Sequence, residues 1–307
     1  MIQQPVRSSM ATSIDKQAIV QLAREASIEF NVQDREHLEA SRAFLPRGKR
    51  VYISHLPKQT WDETLTACSA VSAAGFDAIP HLPVRLLDSE ATLDRFLDRA
   101  VQHGRINEVL LIAGDYPQAA GPYATVADVL RGGSLGRHGL QRVSLAGHPE
   151  GHQTVSLQEI RRAEEEKSRL AIASGLQTTL LTQFFFEAQP FIDWVTESRA
   201  AGIGARLIGG LSGPARITTL FKFALRCGVG PSIRALGSRP TSFVKLIGEH
   251  GPEHVVRDLA QARQSGSADF DGVHLFCFGG YLRTCEWLHK VANGRFELDP
   301  STGFELA

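Results

Sequence analysis

The 307 residues predict an α/β chain folded as one (β/α)8 (TIM) barrel, with an N-terminal extra helix and extra helices before the last strand. Three observations carry this. Short apolar runs recur about eight times, near residues 26–30, 51–55, 76–80, 107–113, 142–147, 177–184, 205–209 and 272–278. Amphipathic helical stretches alternate with them, as in a parallel barrel of ~250 residues. The junctions also share one punctuation, in which a helix stops at glycine and a strand begins at once: Ala74-Gly75-Phe76, His103-Gly104-Arg105, Ser174-Gly175-Leu176, Ala201-Gly202-Ile203 and Cys227-Gly228-Val229. Glycine enters the left-handed conformation at little steric cost, so each triplet reads as a helix-to-strand turn. A doubly wound open sheet is the alternative architecture. It gains nothing from Gly202-Ile203-Gly204, which follows a helix, whereas a dinucleotide-binding turn follows a strand.

Taken in order, residues 1–25 read as an extension whose helix spans Ile14 to Glu25, residues 26–295 as the barrel, and residues 296–307 as a tail. Thr60 with Glu63, and Ser156 with Glu159, have the spacing of capping boxes. Pro190 and Pro214 suit first helical turns. Leu93, Phe96, Leu97, Ala100 and Val101 fall on one helical face, which needs a sheet beneath it. Residues 229–271 are long for one connection and are expected to hold extra helices, including one from Glu253 to Gln264.

Hydrophobic residues make up 43%, enough for a large core. Lys plus Arg equals Asp plus Glu at 33 each, so nothing points to nucleic acid or an anionic membrane. The four cysteines show no C-x-x-C spacing, as expected of reduced cytosolic thiols. Met1 to Ser13 lacks an apolar signal region, and no run approaches the ~20 apolar residues of a membrane span. The expectation is a soluble cytoplasmic protein, with a homo-oligomer left open.

In such barrels chemistry lies at the carboxyl ends of the strands. Those ends supply Glu29, Ser54 with His55, His81, Asp115, His148 with Glu150 and His152, and Gln183. A metal site is disfavoured because Pro149 and Gly151 keep His148 and His152 off one helical face. No G-x-S-x-G elbow or strand lysine supports hydrolase or Schiff-base chemistry. The glycine pairs Gly209-Gly210 and Gly279-Gly280 read either as a phosphate cradle after strands seven and eight or as tight turns.

Ser27-Ile28-Glu29-Phe30, Pro80-His81-Leu82, Gly114-Asp115, His148-Pro149-Glu150-Gly151-His152 and Thr182-Gln183-Phe184-Phe185-Phe186 occur in that order at barrel spacing. Together, over roughly residues 26–290, they resemble methylenetetrahydrofolate reductase, a flavin-dependent (β/α)8 barrel. The resemblance implies reduction of 5,10-methylenetetrahydrofolate to 5-methyltetrahydrofolate by hydride transfer from reduced FAD, which NAD(P)H recharges. It implies that Glu29 is the general acid that opens the substrate's five-membered ring. A free Glu, at a pKa of ~4.3, is ionised at neutral pH, so the site is expected to raise that value. Asp115 is implied beneath the flavin and on the pterin, and Gln183 on the pterin. Ser54, His55, His81, Ala113, Gly114, Asp115, Thr125, Val126, His148, His152 and Lys167 are implied around FAD, with Lys167 at its diphosphate. Phe184 to Phe186 read as barrel packing.

Departures from the family pattern are equally informative. Asn31-Val32-Gln33 replaces the usual continuation of the first motif, and Ala113 replaces an arginine near the flavin. Ile217 falls where an aromatic usually stacks on folate or nicotinamide, and Phe278-Gly279-Gly280 replaces Leu-Asn-Arg. These changes touch nicotinamide binding more than folate chemistry. NADH is therefore expected to be a poor reductant, and the reaction to be open to running as methyltetrahydrofolate oxidation. Two other readings stay open: a flavin-free lyase or isomerase holding a phosphorylated substrate on the glycine pairs, and a non-catalytic folate- or flavin-binding subunit.

Overall fold

In β1 (Ser27–Phe30) alternate residues part company: Ile28 and Phe30 join the apolar shell outside the strands, while Ser27 and Glu29 face the barrel axis. The same alternation builds a closed barrel from β1, β2 (Arg50–Ile53), β3 (Asp77–Pro83), β4 (Glu108–Ile112), β5 (Arg142–Gly147), β6 (Gln177–Phe185), β7 (Arg206–Ser212) and, later in the chain, β10 (Gly272–Phe276). All eight pair in parallel, and β10 closes the ring on β1 in the register Ser27↔His274. The computed structural model describes residues 5–114, 116–227, 249–299 and 303–307. The predicted strands and the barrel are thus observed.

Helices α2 (Leu38–Ser41), α3 (Trp61–Ala73), α4 (Glu90–Gly104), α5 (Val126–Gly132), α6 (Ser134–Arg137), α7 (Leu157–Ala173), α8 (Ala188–Ala200) and α9 (Ile217–Cys227) follow the strands in turn. Both predicted capping boxes form, with Thr60 starting α3 and Ser156 starting α7. The apolar face of α4 is buried as its periodicity requires. After α9 come α10 (Glu253–Ser265) and α11 (Tyr281–Ala292), and α1 (Pro5–Glu25) packs across both. α10 is the expected helix before the last strand; residues 228–248, and with them Gly228, lie outside the described residues. Two small ribbons complete the chain: β8 (Ala215–Arg216) with β9 (Glu249–His250), and β11 (Phe296–Asp299) with β12 (Gly303–Leu306). Residues 296–307, expected as a tail, therefore hold a hairpin, which packs on α10.

The barrel interior is an apolar layer of Tyr52, Ile79, Leu110, Leu181 and Ile208. Below it, at the amino ends of the strands, Glu108 is buried between Arg50 at 2.7 Å and Arg142 at 3.3 Å. Ser144 donates to Glu108 at 2.7 Å and shares a 2.9 Å bond with the Tyr52 hydroxyl, so this end is plugged by a bonded network.

Three local expectations change. Gly75, Gly175 and Gly202 take positive φ as predicted, but Gly104 stays helical and Arg105 makes the left-handed turn at φ 53°. Glycine suits position 104 for packing and not for a positive φ: a Cβ there would lie 3.0 Å from Ile106 and 3.5 Å from Cys68. Pro190 does sit in the first turn of α8, whereas Pro214 precedes β8, whose pairing with β9 delays α9 to Ile217. Gly209 and Gly210 lie within β7, not at its end, and neither has a positive φ. Their Cβ positions are filled by Phe185 and Phe191 in one case, and by Phe276 and the Thr182 carbonyl in the other. A Cβ on Gly279 would meet the Pro214 carbonyl at 1.9 Å. Gly209, Gly210 and Gly279 thus allow close packing, whereas Gly280, at φ 115° with nothing near its Cβ position, makes the turn before α11.

Candidate functional site

Glu29 is 5% exposed at the carboxyl half of the barrel, where an unpaired charge would be costly. It is not unpaired. The Ser54 hydroxyl, at the end of β2, donates to Oε1. His274 Nε2 on β10 reaches Oε2 at 3.1 Å, and His81 Nε2 on β3 stands 3.5 Å from the same oxygen. His274 is fully buried, and its Nδ1 bonds the Ser27 hydroxyl at 2.9 Å. The Tyr52 ring lies edge-on to His274, with centroids 5.0 Å apart. Burial favours the neutral acid at Glu29, but His81 and His274 together outweigh it and hold the carboxyl well below the usual carboxylate range. This reverses the expectation that the site would raise Glu29, because the opposing partners are donors and not apolar walls. Burial in turn lowers His274, against the pull of Glu29.

Across the mouth, the β6–β7 register slips between Leu181 and Phe184. This bulge turns Gln183 out of regular alternation, and its Oε1 accepts from the Phe184 amide at 3.1 Å. Phe184, Phe185 and Phe186 are buried as predicted. Phe184 and Phe186 join an aromatic cluster with Phe223, Phe276 and Phe278, in which Phe276 and Phe278 stack almost parallel, 5.6 Å apart.

The residues expected around a flavin divide into two groups. His81, Ala113, Gly114, His148, His152 and Lys167 stand on β3 or in the segments that follow β4 and β5, on the mouth side. Gly114 has φ +85°, with Tyr116 and Pro83 against the position of a Cβ. Lys167 lies against the Ala146 carbonyl. By contrast, Ser54 is bonded to Glu29, His55 bonds Thr64 at 2.8 Å and stacks on Trp61, and Thr125 caps α5 through Asp128, with Val126 as its first helical residue. Asp115 lies outside the described residues.

Sequence reasoning passed over His274 and Glu164. His274 is a lone histidine in an apolar strand, and only barrel closure brings it to Glu29. Glu164 stands in the charged run Glu164-Glu165-Glu166-Lys167, whose composition suits a solvated face, yet it is 1% exposed. Among the described residues no group of three His, Cys, Asp or Glu has metal-binding geometry, and no helix is long and apolar enough to cross a membrane. A 410 Å³ hollow lined by Arg42, Leu45, Arg47 and Phe76 lies at the opposite, amino end of the strands, away from this chemistry.

Burial pushes His55 down to about 4 and His148 down to about 3, with neighbouring positive groups helping in each case. Folded imidazoles of this kind refuse protons that the unfolded chain accepts, so stability falls as pH drops below 6.5. At pH 5 the two cost about 2 kcal/mol each. His138, raised by Asp94 and Asp98 against its burial, offsets part of this. Thermal melts should show a Tm lower by about 5–10 °C at pH 5.0 than at 7.5; an equal or higher value would contradict these assignments.

Fold and site together define a parallel α/β barrel with a buried carboxylate–imidazole centre at its carboxyl mouth. The chain belongs to the methylenetetrahydrofolate reductase family, whose model matches residues 58–229. That match takes in His81, His148, Lys167 and Gln183; Glu29 and His274 lie on either side of it. Methylenetetrahydrofolate reductase 2 of Saccharomyces cerevisiae is 26% identical over 210 residues, covering 60% of this chain and 33% of that protein. The chain thus spans about a third of the length of that relative. A solved protein from Clostridium thermocellum, described as uncharacterized and as binding two copies of 5-methyl-5,6,7,8-tetrahydrofolic acid, is alike in fold. Its TM-score is 0.55 at 12% identity, over 90% of this chain and 96% of that one.

Proposed function

We propose that this chain is an FAD-dependent oxidoreductase interconverting 5,10-methylenetetrahydrofolate and 5-methyltetrahydrofolate, with Glu29 handling the proton. The observation that carries this is the grip of Ser54, His81 and His274 on one buried carboxylate at the mouth of a barrel of this family.

The fit to FAD rests on the β3, β4, β5 and α7 residues. His81 Nε2 is buried 3.5 Å from Glu29 without completing a hydrogen bond, Gly114 takes a positive φ after β4 with Tyr116 and Pro83 against it, and Lys167 supplies a cation behind β5. Ser54, His55 and Thr125 already have internal partners, so they would contribute shape and backbone. When bound, FAD supplies the hydride acceptor or donor.

The protein's own part is the proton. Once the N5-methyl carbon has given up a hydride, the resulting N5 iminium closes on N10, and the N10 proton must leave. An ionised Glu29 accepts it. In the reverse direction, Glu29 returns that proton to N10, the ring opens, and the iminium becomes the hydride acceptor. The pairing with His81 and His274 keeps Glu29 ionised and so able to accept this proton, at the cost of basicity, and the ionised form is the one that methyltetrahydrofolate oxidation requires. Gln183, aimed by its bulge, is suited to paired amide bonds with the pterin.

Purified protein supplied with FAD should show flavin absorbance that bleaches anaerobically on titration with methyltetrahydrofolate. Stopped-flow mixing with NADH should bleach it slowly, since the nicotinamide-side residues differ. Protein that stays colourless with added FAD would remove the flavin from this reading, and rapid bleaching by NADH would restore a nicotinamide site.

A further inference from the structure

A base that has taken a proton in a covered pocket must lose it before it can act again, so Glu29 needs an exit for that proton. Three side chains touch the carboxylate, and they are not equivalent. Ser54 spends its hydroxyl proton on Oε1. His274 has both nitrogens engaged: Nδ1 bonds Ser27 at 2.9 Å, and Nε2 reaches Glu29 Oε2 at 3.1 Å. A further proton on that ring would reverse or break one of these bonds, and its side chain, at 0% exposure, does not meet solvent. His81 differs on each count. It stands one pleat above Ile79 of the apolar layer, facing the barrel axis, with the Tyr52 ring edge-on at 6.4 Å. Its Nε2 lies 3.5 Å from the same Oε2, buried and without a hydrogen-bond partner. A buried polar atom left unpaired is costly and asks for a reason. The rest of the ring keeps an opening to the mouth, since the side chain is 12% exposed against 7% for Glu29. The other ionisable groups around this pair are His274 on β10, Tyr52 on β2 and His55 in the loop after β2.

We propose that His81 is the proton exit of the site: it takes from Glu29 the proton that the carboxylate has removed from N10, and passes it to solvent in the mouth. This rests on the proton role proposed for Glu29 and deepens it; His81 acts through that carboxylate and not on the folate. In the step, the Glu29 Oε2–H bond breaks and a His81 Nε2–H bond forms, leaving a carboxylate and an imidazolium. The imidazolium then gives its Nδ1 proton to a water in the mouth, because Nε2 is buried, and tautomer exchange resets the neutral ring. His274 stays as the fixed partner that holds the carboxylate in place. Glu29 rests ionised, because the two imidazoles outweigh its burial. The first hydride transfer therefore needs no exit, whereas every later one does.

The test separates the first turnover from those that follow. The full chain, saturated with FAD, is mixed anaerobically with methyltetrahydrofolate, and flavin bleaching is timed. Continuous turnover is then followed with a quinone-imine dye as electron acceptor. H81N should bleach once at the wild-type rate but turn over about tenfold or more slowly, and added imidazole should restore it. H81Q repeats the measurement should H81N fail to fold. H274Q should slow the first bleaching itself and gain nothing from imidazole. Continuous turnover of H81N at the wild-type rate overturns the exit. So does a loss already complete in the first bleaching and untouched by imidazole, which would make His81 a wall of the flavin site alone. Rescue of H274Q by imidazole overturns the division of labour between the two rings. A wild-type chain that never bleaches overturns the flavin and folate reading, and the exit with it.

Discussion

Glu29→Gln should reduce turnover of methyltetrahydrofolate by roughly 10²–10⁴, the usual worth of a positioned acid or base, while FAD affinity stays at the wild-type level. Glutamine keeps the volume and can still accept from Ser54, so the site should stay packed. It cannot carry a proton between N10 and the solvent. The buried imidazole of His274 loses an ionic partner, so a modest drop in Tm is expected alongside the kinetic loss. Steady-state assays in both directions, with flavin binding measured on the same preparation, separate chemistry from cofactor retention. A variant turning over within about tenfold of wild type would remove Glu29 from the proton path.

Gly210→Ala should be the most damaging single-methyl change in the barrel wall. The added Cβ would lie 2.5 Å from the Thr182 carbonyl, 2.8 Å from Phe276 and 3.0 Å from the Gln183 carbonyl. Two of these are backbone atoms of the β6 bulge, which cannot rotate away as a side chain can. The amide of Gly210 also accepts no slack, since it donates to Thr182 Oγ1 at 2.9 Å. The expected cost is about 3 kcal/mol or more, read as a lowered denaturation midpoint with an unchanged m-value. If Gly209-Gly210 instead cradled a phosphate, the alanine would weaken anion binding and leave the midpoint near wild type.

Much of this molecule could be read from one dimension because the informative signals are local. A capping box is four residues long, an apolar strand five, and a helix-ending glycine one. Thr60, Ser156, Gly75 and the eight strand runs are each determined by their immediate neighbours. The errors share the opposite property. Gly104 answers to the crowding of Ile106 and Cys68 and not to a turn, and Gly209-Gly210 answers to aromatic rings from β6, α8 and β10 that fill the space a side chain would need. The Glu29 carboxyl is drawn down, not up, because His81 and His274 converge on it, the second from 245 residues later in the chain. Glu164 was hidden for a related reason: its neighbours in sequence are solvated, and only the helical turn relative to Trp194 distinguishes it. The residues that carry chemistry could be picked out individually, but their charge states depend on contacts that closure creates.

The plug formed by Arg50, Glu108, Tyr52 and Ser144 has a kinetic meaning. Among the described residues the base of the cylinder is closed by charge and the layer above it is filled with side chains, which leaves the carboxyl side as the approach to Glu29. On the proposed function, the folate and whatever recharges the flavin would share that approach, so the two half-reactions would alternate, each waiting on the departure of the other's product.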